Sequence, residues 1–202
     1  MSIEIQQAAK EPKRERGKQR VAALIDAGAE LFAEKGYEAT TMTEIASRAG
    51  AAIGSLYQFF PSKEALAEAL FNRFTERAAA SFARVEELAP GRSARELADL
   101  LIDYKLEQGT DRDAAIVLLS SVASIIERRK PLGDALRGRI AKILSAANPA
   151  LGEDEAAATA VLVNQVMKMI PAFAATKDER TAALVGEARK LMALYIAEVL
   201  SR

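Results

Sequence analysis

The spacing of apolar residues is the feature that most limits how this chain can fold. Apolar residues recur at intervals of three and four along most of the sequence, as in Val21, Leu24, Ile25 and Phe32. This is the period of one face of an α-helix. β-branched residues nowhere alternate with polar ones in the period of two that marks a half-buried strand. Half of the 202 residues are hydrophobic, which is enough for a sizeable core. The sequence therefore predicts an all-α protein.

Several classes of chemistry are excluded because the chain contains no cysteine and no histidine. Their absence removes thiol redox reactions, thiolate and imidazole metal ligands, and Ser-His or Cys-His nucleophile pairs. The sequence also has no paired carboxylates in an apolar setting that would favour general acid-base catalysis. We therefore predict no catalytic residues, no metal site and no cofactor, in a protein that is not an enzyme.

The distribution of hydrophobicity gives an expectation about location. No apolar run reaches the roughly 20 residues that a membrane-spanning helix needs. The first residues are polar and charged, unlike those of a signal peptide. We expect a cytoplasmic protein without a membrane partner.

Charge is unevenly distributed, although the chain has 28 basic and 28 acidic residues. Residues 10–20 carry a local charge of +4, which leaves −4 for the rest of the chain. We interpret residues 1–19 as a basic N-terminal arm, with Arg16 and Arg20 as candidate DNA contacts. A solvated tail is the alternative interpretation of such a charge run.

Two short predicted helices follow a longer one that ends at Gly36. Thr41 precedes Glu44 by three residues, which is the spacing of a capping box, and the helix it opens ends at Gly50. Ile45 and Ala46 form the apolar face of this helix and are expected in the core. After the turn of residues 50–52, a second short helix covers 53–59, with Leu56 and Phe60 facing inward. This succession is typical of a helix-turn-helix, which we assign to residues 20–62. Short helix pairs also occur in other helical bundles, so the spacing alone leaves the partner open.

Residues 63–202 are predicted to form one helical domain for ligand binding and dimerisation. Pro61 and Ser62 open a long helix to about Leu88, and Ser93 with Glu96 forms a second capping box. Pro131 and Gly133 are interpreted as an interruption, and Pro171 as a kink. The later predicted helices are one from Ser93 towards Gly109, a buried one over 114–126, and three over 134–147, 153–175 and 178–200.

The short helices carry a specific resemblance. The segments T-T-M-T-E-I-A-S-R-A-G (40–50) and G-S-L-Y-Q-F-F-P-S-K-E-A-L (54–66), together with F-A-E-K-G-Y (32–37), closely resemble the DNA-binding signature of the TetR family. The resemblance covers residues 20 to 70, about a quarter of the chain. It implies a homodimeric transcriptional repressor that binds double-stranded DNA through a helix-turn-helix and is released by a small molecule bound in its C-terminal domain.

The resemblance implies roles for single residues. Thr43, Ile53, Ser55 and Gln58 correspond to positions near bases, and glutamine can pair bidentately with adenine. The remaining candidates would position the protein on the DNA backbone. They would do so by a small side chain that leaves room, by contacts to phosphates, or by lying at the N-terminus of a helix; they are Thr41, Met42, Gly54, Tyr57 and Lys63. As alternatives, Tyr57 and Ile53 would be buried in the core of the small domain, and Thr43 would be merely solvated.

The turn departs from the family pattern at two places. Ala51 and Ala52 stand where the family usually has valine and a serine or threonine that caps the recognition helix. Losing such a cap costs about 1 kcal/mol of helix stability. Phe59 stands where histidine is common, which removes a polar contact. We expect recognition to survive both changes.

The last two predicted helices are too apolar to serve a single core, because apolar residues cover most of the circumference of 153–175. We predict a four-helix dimer interface, with a twofold axis that requires an inverted-repeat operator with half-sites about 34 to 36 Å apart. A helix wholly buried in a monomer is the alternative. The predicted interface residues are Val161, Met169, Leu184, Leu191 and Tyr195.

An effector pocket is expected among the helices of the C-terminal domain. Buried polar groups need partners, and a ligand can be one, although backbone or water can serve instead. The aliphatic content indicates a small hydrophobic effector, and the resemblance implies that it moves the long helix of residues 63–88. As an alternative function, the chain would be a helical ligand-binding protein or an enzyme that uses this cavity. The candidate ligand contacts are Tyr104, Ser120, Ser124, Asn164 and Gln165.

Overall fold

The computed structural model describes residues 15–175 and 179–201, which form ten helices and no strand within those ranges. The prediction of an all-α protein is confirmed. The helices are α1 Glu15–Lys35, α2 Met42–Arg48, α3 Ile53–Phe59, α4 Lys63–Leu88, α5 Ala94–Leu106, α6 Gly109–Ser121, α7 Ala123–Ile126, α8 Arg129–Ala147, α9 Glu153–Ala175 and α10 Glu179–Leu200.

The N-terminal arm was predicted to cover residues 1–19. Residues 1–14 lie outside the described residues, and with them Lys10, Lys13 and Arg14. Residues 15–19 are the first five residues of α1. Arg16 and Arg20 are therefore helical residues on an exposed part of α1.

The chain divides into two compact units. The N unit contains the described residues up to Arg77 together with Gly109–Arg129, and the C unit contains Ala78–Gln108 and the residues from Lys130 onward. The division falls within α4, and α6 and α7 belong to the N unit because α6 packs against α1. The limits of these packing units thus do not coincide with the predicted domain boundary at residue 63. That boundary separates a DNA-binding part from a ligand-binding part, and it stays a prediction.

The core of the N unit fixes the two short helices on α1 and α4. Ile45 of α2 and Leu56 of α3 are fully buried, and Phe60 is almost fully buried. These residues were expected to face inward, and their burial confirms that expectation. Gly28 of α1 lies so close to α4 that a Cβ atom there would come within 2.6 Å of Leu66 Cδ2. Only glycine permits this approach without a shift of the buried Leu66 side chain.

The core of the C unit lies where α5, α9 and α10 pack against one another. Phe82 of α4 contacts Tyr104 of α5 edge to face, with ring centres 4.9 Å apart. Arg139 of α8 stacks on Phe82 and donates two hydrogen bonds of 2.7 Å to Glu86. This double hydrogen bond lowers the pKa of the Glu86 carboxyl.

Two predicted helix boundaries were wrong. The buried helix expected over 114–126 is interrupted at Val122, which is extended (φ −108°, ψ 117°), and Ile116 is 53% exposed. Pro131 and Gly133 lie inside the start of α8 and do not interrupt it. Proline is tolerated there because the first N–H groups of a helix have no partner within the helix. Pro171 lies within α9, which continues to Ala175.

Candidate DNA-binding site

The start of α2 is fixed by the predicted capping box. Thr41 Oγ1 accepts from the Glu44 backbone N–H at 3.3 Å, and Glu44 accepts from the Thr41 N–H at 2.9 Å. Lys35 pairs with the same carboxylate. The Lys35 ammonium, followed by the Thr41 donors, lowers the pKa of Glu44 to about 2. The Thr41 hydroxyl also donates to Glu44 at 2.6 Å, so its proton is already used within the protein.

The turn between α2 and α3 is closed by backbone hydrogen bonds. Gly50 has a φ of +61°, a conformation that favours glycine, and the N–H of Ala51 donates to the carbonyl of Ala46 at 2.9 Å. The N-cap of α3 is Ala52, which supplies no side-chain hydrogen bond. The predicted loss of this cap is confirmed, so α3 is held by its packing.

One face of α3 is exposed. Ile53 is 40% exposed and Tyr57 is 51% exposed, and Gly54 and Gln58 are exposed beside them. Leu56 lies on the opposite face and is fully buried. The alternative in which Ile53 and Tyr57 belong to the core is therefore wrong. The short helix α3 thus presents one accessible face, with both polar and apolar side chains, on the surface of the N unit.

Two of the predicted contacts meet at the side of this face. Arg20 of α1 donates to Ser55 Oγ of α3 at 3.4 Å, across 35 residues of sequence. Arg20 is exposed and Ser55 is half-buried. The pair places a guanidinium group directly beside the exposed face of α3.

Met42 does not belong with these surface residues. Its side chain is buried with those of Ile45 and Ala46, which lie on the same face of α2. A contact from its side chain to DNA was therefore the wrong assignment, because this spacing of apolar residues marks the inward face of a helix. Thr43, one residue later, is exposed as predicted.

Lys63 is engaged within the protein. Its Nζ donates to the backbone carbonyls of Tyr37, Glu38 and Thr40 at 2.9, 3.3 and 3.2 Å, and lies 4.2 Å from the centre of the Tyr37 ring. The three ammonium donors thus hold the loop before α2 on the first turn of α4. A phosphate contact by Lys63 would have to compete with one of these carbonyls.

A second set of ion pairs holds α2 on α1. Arg48 donates to both oxygens of Glu34 at 2.9 Å and to Glu30 at 3.0 Å. The pKa of the Glu34 carboxyl is lowered by this pairing with Arg48. Sequence reasoning missed these three residues, because their positions on exposed helix faces carry no signal until the two helices are placed together.

The predicted effector contacts are divided between the two units. Ser120 and Ser124 lie in the N unit and are exposed; Ser120 donates to the carbonyl of Ile116 at 3.3 Å, and Ser124 donates to Glu68. Gln165 is an exposed residue of the C unit. Only Tyr104 and Asn164 are buried there, and burial raises the pKa of the Tyr104 hydroxyl.

The C unit has a small open cleft between α4 and α5, with a volume of about 50 Å³. Sequence reasoning identified Tyr104 among its residues and missed the others. Each helix contributes residues at spacings of three and four, a stripe that sequence analysis could have detected. The lining residues are Ser81, Arg84, Val85 and Leu88 of α4, Leu100, Asp103 and Tyr104 of α5, and Glu107 at the C-cap of α5.

Large apolar side chains are exposed along α9 and α10 of the C unit. They include four of the five predicted interface residues, whereas Tyr195 is half-buried and packs on the core. The alternative of a helix wholly buried in a monomer is wrong for this chain. Two further exposed side chains, Leu162 and Leu194, were missed. The exposed set is Val161, Leu162, Met169, Leu184, Leu191 and Leu194.

Within the described residues, the segment Glu153–Ala174 is the one helical stretch long and apolar enough to cross a membrane by length and composition. The same composition is typical of a helix packed in a protein core. Ala160, Val163 and Met167 of this helix are fully buried in the C unit. Packing in the core therefore explains the apolar residues on one face of this helix, whereas Val161, Leu162 and Met169 on the other face are exposed.

The known proteins that resemble this chain match it over segments of different length. Residues 24–70 match the bacterial regulatory proteins of the tetR family. The fatty acid metabolism regulator protein of Bacillus subtilis (strain 168) is 31% identical over 118 residues, which cover 57% of this chain and 59% of that protein. The HTH-type transcriptional repressor KstR2 of Rhodococcus jostii (strain RHA1) is 34% identical over 84 residues, which cover 42% of this chain and 40% of that protein. The matches thus span about half the length of these curated relatives.

Solved structures show the same fold over nearly the whole chain. Salmonella enterica GusR has a TM-score of 0.68 at 20% identity, covering 91% of this chain and 96% of that chain. FadR from Bacillus subtilis, solved in complex with stearoyl-CoA, has a TM-score of 0.63 at 21% identity, covering 85% of this chain and 97% of that chain. At such identities the likeness concerns the fold, an N-terminal helix-turn-helix followed by a helical C-terminal domain. Residues 24–70 thus carry the sequence match to the tetR family, and the solved structures add a likeness of fold over nearly the whole chain.

Proposed function

We propose that this protein is a cytoplasmic, sequence-specific transcriptional repressor that binds an inverted-repeat operator as a homodimer and is released by a small hydrophobic effector. The observation that carries the proposal is the exposed face of α3, set on the fully buried Leu56. A recognition helix needs this arrangement, because one face must anchor it and the other must enter the major groove.

The exposed residues of α3 divide by their chemistry into two roles. Gln58 and Ser55 carry hydrogen-bonding groups that can read base edges, together with Thr43 of α2 and the apolar Ile53. Tyr57 and Arg20 contact phosphate oxygens, which position the protein without selecting a sequence. Gly54 has no heavy atom within 4 Å of a Cβ built on it, and its lack of a side chain lets the backbone come close to the DNA.

The exposed apolar residues of α9 and α10 support a homodimer. Large apolar side chains concentrated on two neighbouring helices mark an interaction surface, since burying them removes apolar area from water. Two copies related by a twofold axis would present two copies of α3 to successive major grooves. The operator would then be an inverted repeat.

The C unit is the proposed effector domain. One relative is named as a regulator of fatty acid metabolism, and one similar structure is a complex with stearoyl-CoA. These names support an effector with a long apolar part for this chain as well. Such a molecule can release the DNA only by binding one conformation of the dimer more tightly than the other.

The test begins with selection of bound duplexes from a random pool by the full-length protein. We expect an inverted repeat whose half-site centres lie one helical turn, or a multiple of it, apart. The logarithm of the binding constant should fall steeply and linearly with the logarithm of salt concentration. A protein that binds no duplex, or binds with no dependence on salt, would instead be a ligand-binding protein or an enzyme. A screen of acyl-chain compounds for release of the selected duplex follows.

A further inference from the structure

Asn164 is a buried amide in the apolar part of α9. The residue is 2% exposed, and its Oδ1 has no hydrogen-bond partner. Val163 and Met167, its neighbours on the same helix, belong to the hydrophobic cluster of the C unit. A buried carbonyl oxygen without a donor destabilises the folded protein. A buried group left in that state is a candidate for a functional role, because packing alone would favour an apolar residue.

The chemistry of this oxygen defines the group that is missing. An amide oxygen accepts hydrogen bonds and cannot donate, so its partner must bring an O–H or N–H. Among the described residues of the C unit, the buried side chains with polar groups are Tyr104, Thr159 and Asn164, and none of the buried side chains is charged. Both polar atoms of the half-buried Gln108 are buried as well. A charged partner would be buried there without a counter-ion, which is strongly unfavourable. The missing partner is therefore an uncharged donor.

The same core reaches the surface at the cleft between α4 and α5. Tyr104 lines that cleft and also belongs to the hydrophobic cluster that contains Val163 and Met167. The helix that carries Tyr104, α5, packs directly against α9. Asn164 is not among the residues that line the cleft, so a ligand that enters at Tyr104 has to displace apolar side chains of this cluster to reach it.

We propose that Asn164 is the polar anchor of the effector site, and that the effector is an uncharged molecule whose apolar body carries a hydroxyl or N–H donor. This inference rests on the proposed function, because it assigns a residue and a ligand class to the same effector domain. It adds to the expected apolar part of the effector the polar group by which the C unit recognises it.

Three probes of equal chain length test the donor requirement on the full-length protein. They are 1-octanol, which donates, octyl methyl ether, which only accepts, and octanoate, which is charged. We expect calorimetric titration to give 1-octanol an affinity at least about tenfold higher than either of the others, the ratio that one net hydrogen bond supplies. Equal affinity of the ether or of octanoate, or no binding of 1-octanol, would overturn the proposal.

Asn164→Leu tests the residue itself, because leucine keeps a similar volume and removes the unpaired oxygen. We expect its affinity for 1-octanol to fall about tenfold, while its thermal midpoint stays equal to that of the wild type or rises by about 2–4 °C. Lys142→Leu is the control, since this side chain of α8 is exposed in the same unit and lies outside the apolar face of α9 and α10; it should bind 1-octanol as the wild type does.

A structural amide would behave in the opposite way. If Asn164→Leu lost several degrees of thermal midpoint, or bound 1-octanol as tightly as the wild type, the anchor assignment would be wrong. Should the leucine variant fail to fold, Asn164→Ala compared with Lys142→Ala gives the same affinity comparison without added volume. Binding of the selected duplex without ligand should be unchanged in all these variants. Failure of the wild type to bind duplex would instead count against the proposed function alone.

Discussion

The ammonium group of Lys63 lies 4.2 Å from the centre of the Tyr37 ring and donates to the Tyr37 carbonyl at 2.9 Å. Two further carbonyls accept from the same Nζ. The neighbouring Glu64 accepts from the Tyr37 hydroxyl at 3.0 Å, and burial followed by this hydrogen bond raises the pKa of that hydroxyl. The first turn of α4 is thereby tied to the loop that precedes α2.

We expect Lys63→Ala to lower both stability and DNA binding. Removing the donor of three carbonyls should cost about 1–2 kcal/mol of unfolding free energy. Binding to all duplex sequences should weaken alike, with the salt slope reduced by roughly one unit, if one donor turns to a phosphate in the complex. Urea unfolding and fluorescence anisotropy measure the two effects separately. An unchanged unfolding free energy would contradict the carbonyl contacts, and an unchanged slope would contradict the phosphate contact.

Gln58→Ala should relax base preference at one position in each half-site. The side chain is exposed on α3, and a bidentate pair with adenine supplies about 1–3 kcal/mol of discrimination. The salt slope should stay the same, because no phosphate contact is removed. Duplex selection with the variant measures the preference, and Lys142→Ala, at an exposed position of α8 in the C unit, is the control. Unaltered specificity would remove Gln58 from the base-reading residues.

Alanine substitutions at two glycines should have different effects on the stability of the fold. Gly28→Ala places a Cβ 2.6 Å from Leu66 Cδ2, and overpacking of this kind costs about 1–3 kcal/mol. Gly54→Ala meets no heavy atom within 4 Å, so it should leave the thermal midpoint unchanged or raise it. It should nevertheless weaken DNA binding, because the added methyl group lies on the face offered to the groove. The idea fails if Gly54→Ala binds the selected duplex normally.

The capping box of α2 should give stability that depends on pH. The pKa of Glu44 is lowered from 4.5 to about 2, mainly by Lys35 and then by Thr41. A carboxyl with a lowered folded pKa contributes stability above its unfolded pKa, and loses it as the pH falls through the folded pKa. Glu44→Gln should therefore lower the thermal midpoint at neutral pH, and the difference from the wild type should shrink between pH 4.5 and 2. Glu127→Gln, at an exposed position of the N unit, is the control. A difference that stays constant over this range would contradict the prediction.

Leu191→Glu should dissociate the proposed dimer. The side chain is 59% exposed in the protomer, and a buried carboxylate at a twofold interface would face its own copy. Sedimentation should give a dimer for the wild type and a monomer for the variant, and affinity for the full inverted repeat should fall at least about 100-fold. Ile116→Glu replaces an apolar side chain that is similarly exposed, at 53%, in the N unit, and should leave the dimer intact. A monomeric wild type would reject the interface.

The features that sequence analysis predicted correctly are local ones. The capping boxes at Thr41 and Ser93 and the missing cap at Ala52 all depend on residues within four positions of one another. Helical periodicity likewise predicted the burial of Ile45 and Leu56, because it reports which side of a helix is apolar. The family resemblance added roles for the exposed residues on α3, which no periodicity could supply and which stay predictions.

Tertiary structure decided everything that depends on residues far apart in the chain. The sequence offered Lys63 as a free cation, but the fold brings it to three carbonyls some 25 residues away. Ser120 and Ser124 were polar residues in an apolar run, and only packing shows that they lie on the surface. Asn164, in contrast, is buried without a partner for its oxygen. The sequence specifies which groups can form hydrogen bonds and ion pairs, but only three-dimensional packing decides whether each group has a partner. Lys63 has partners within the fold and is structural, whereas the oxygen of Asn164 has none and is a candidate for function.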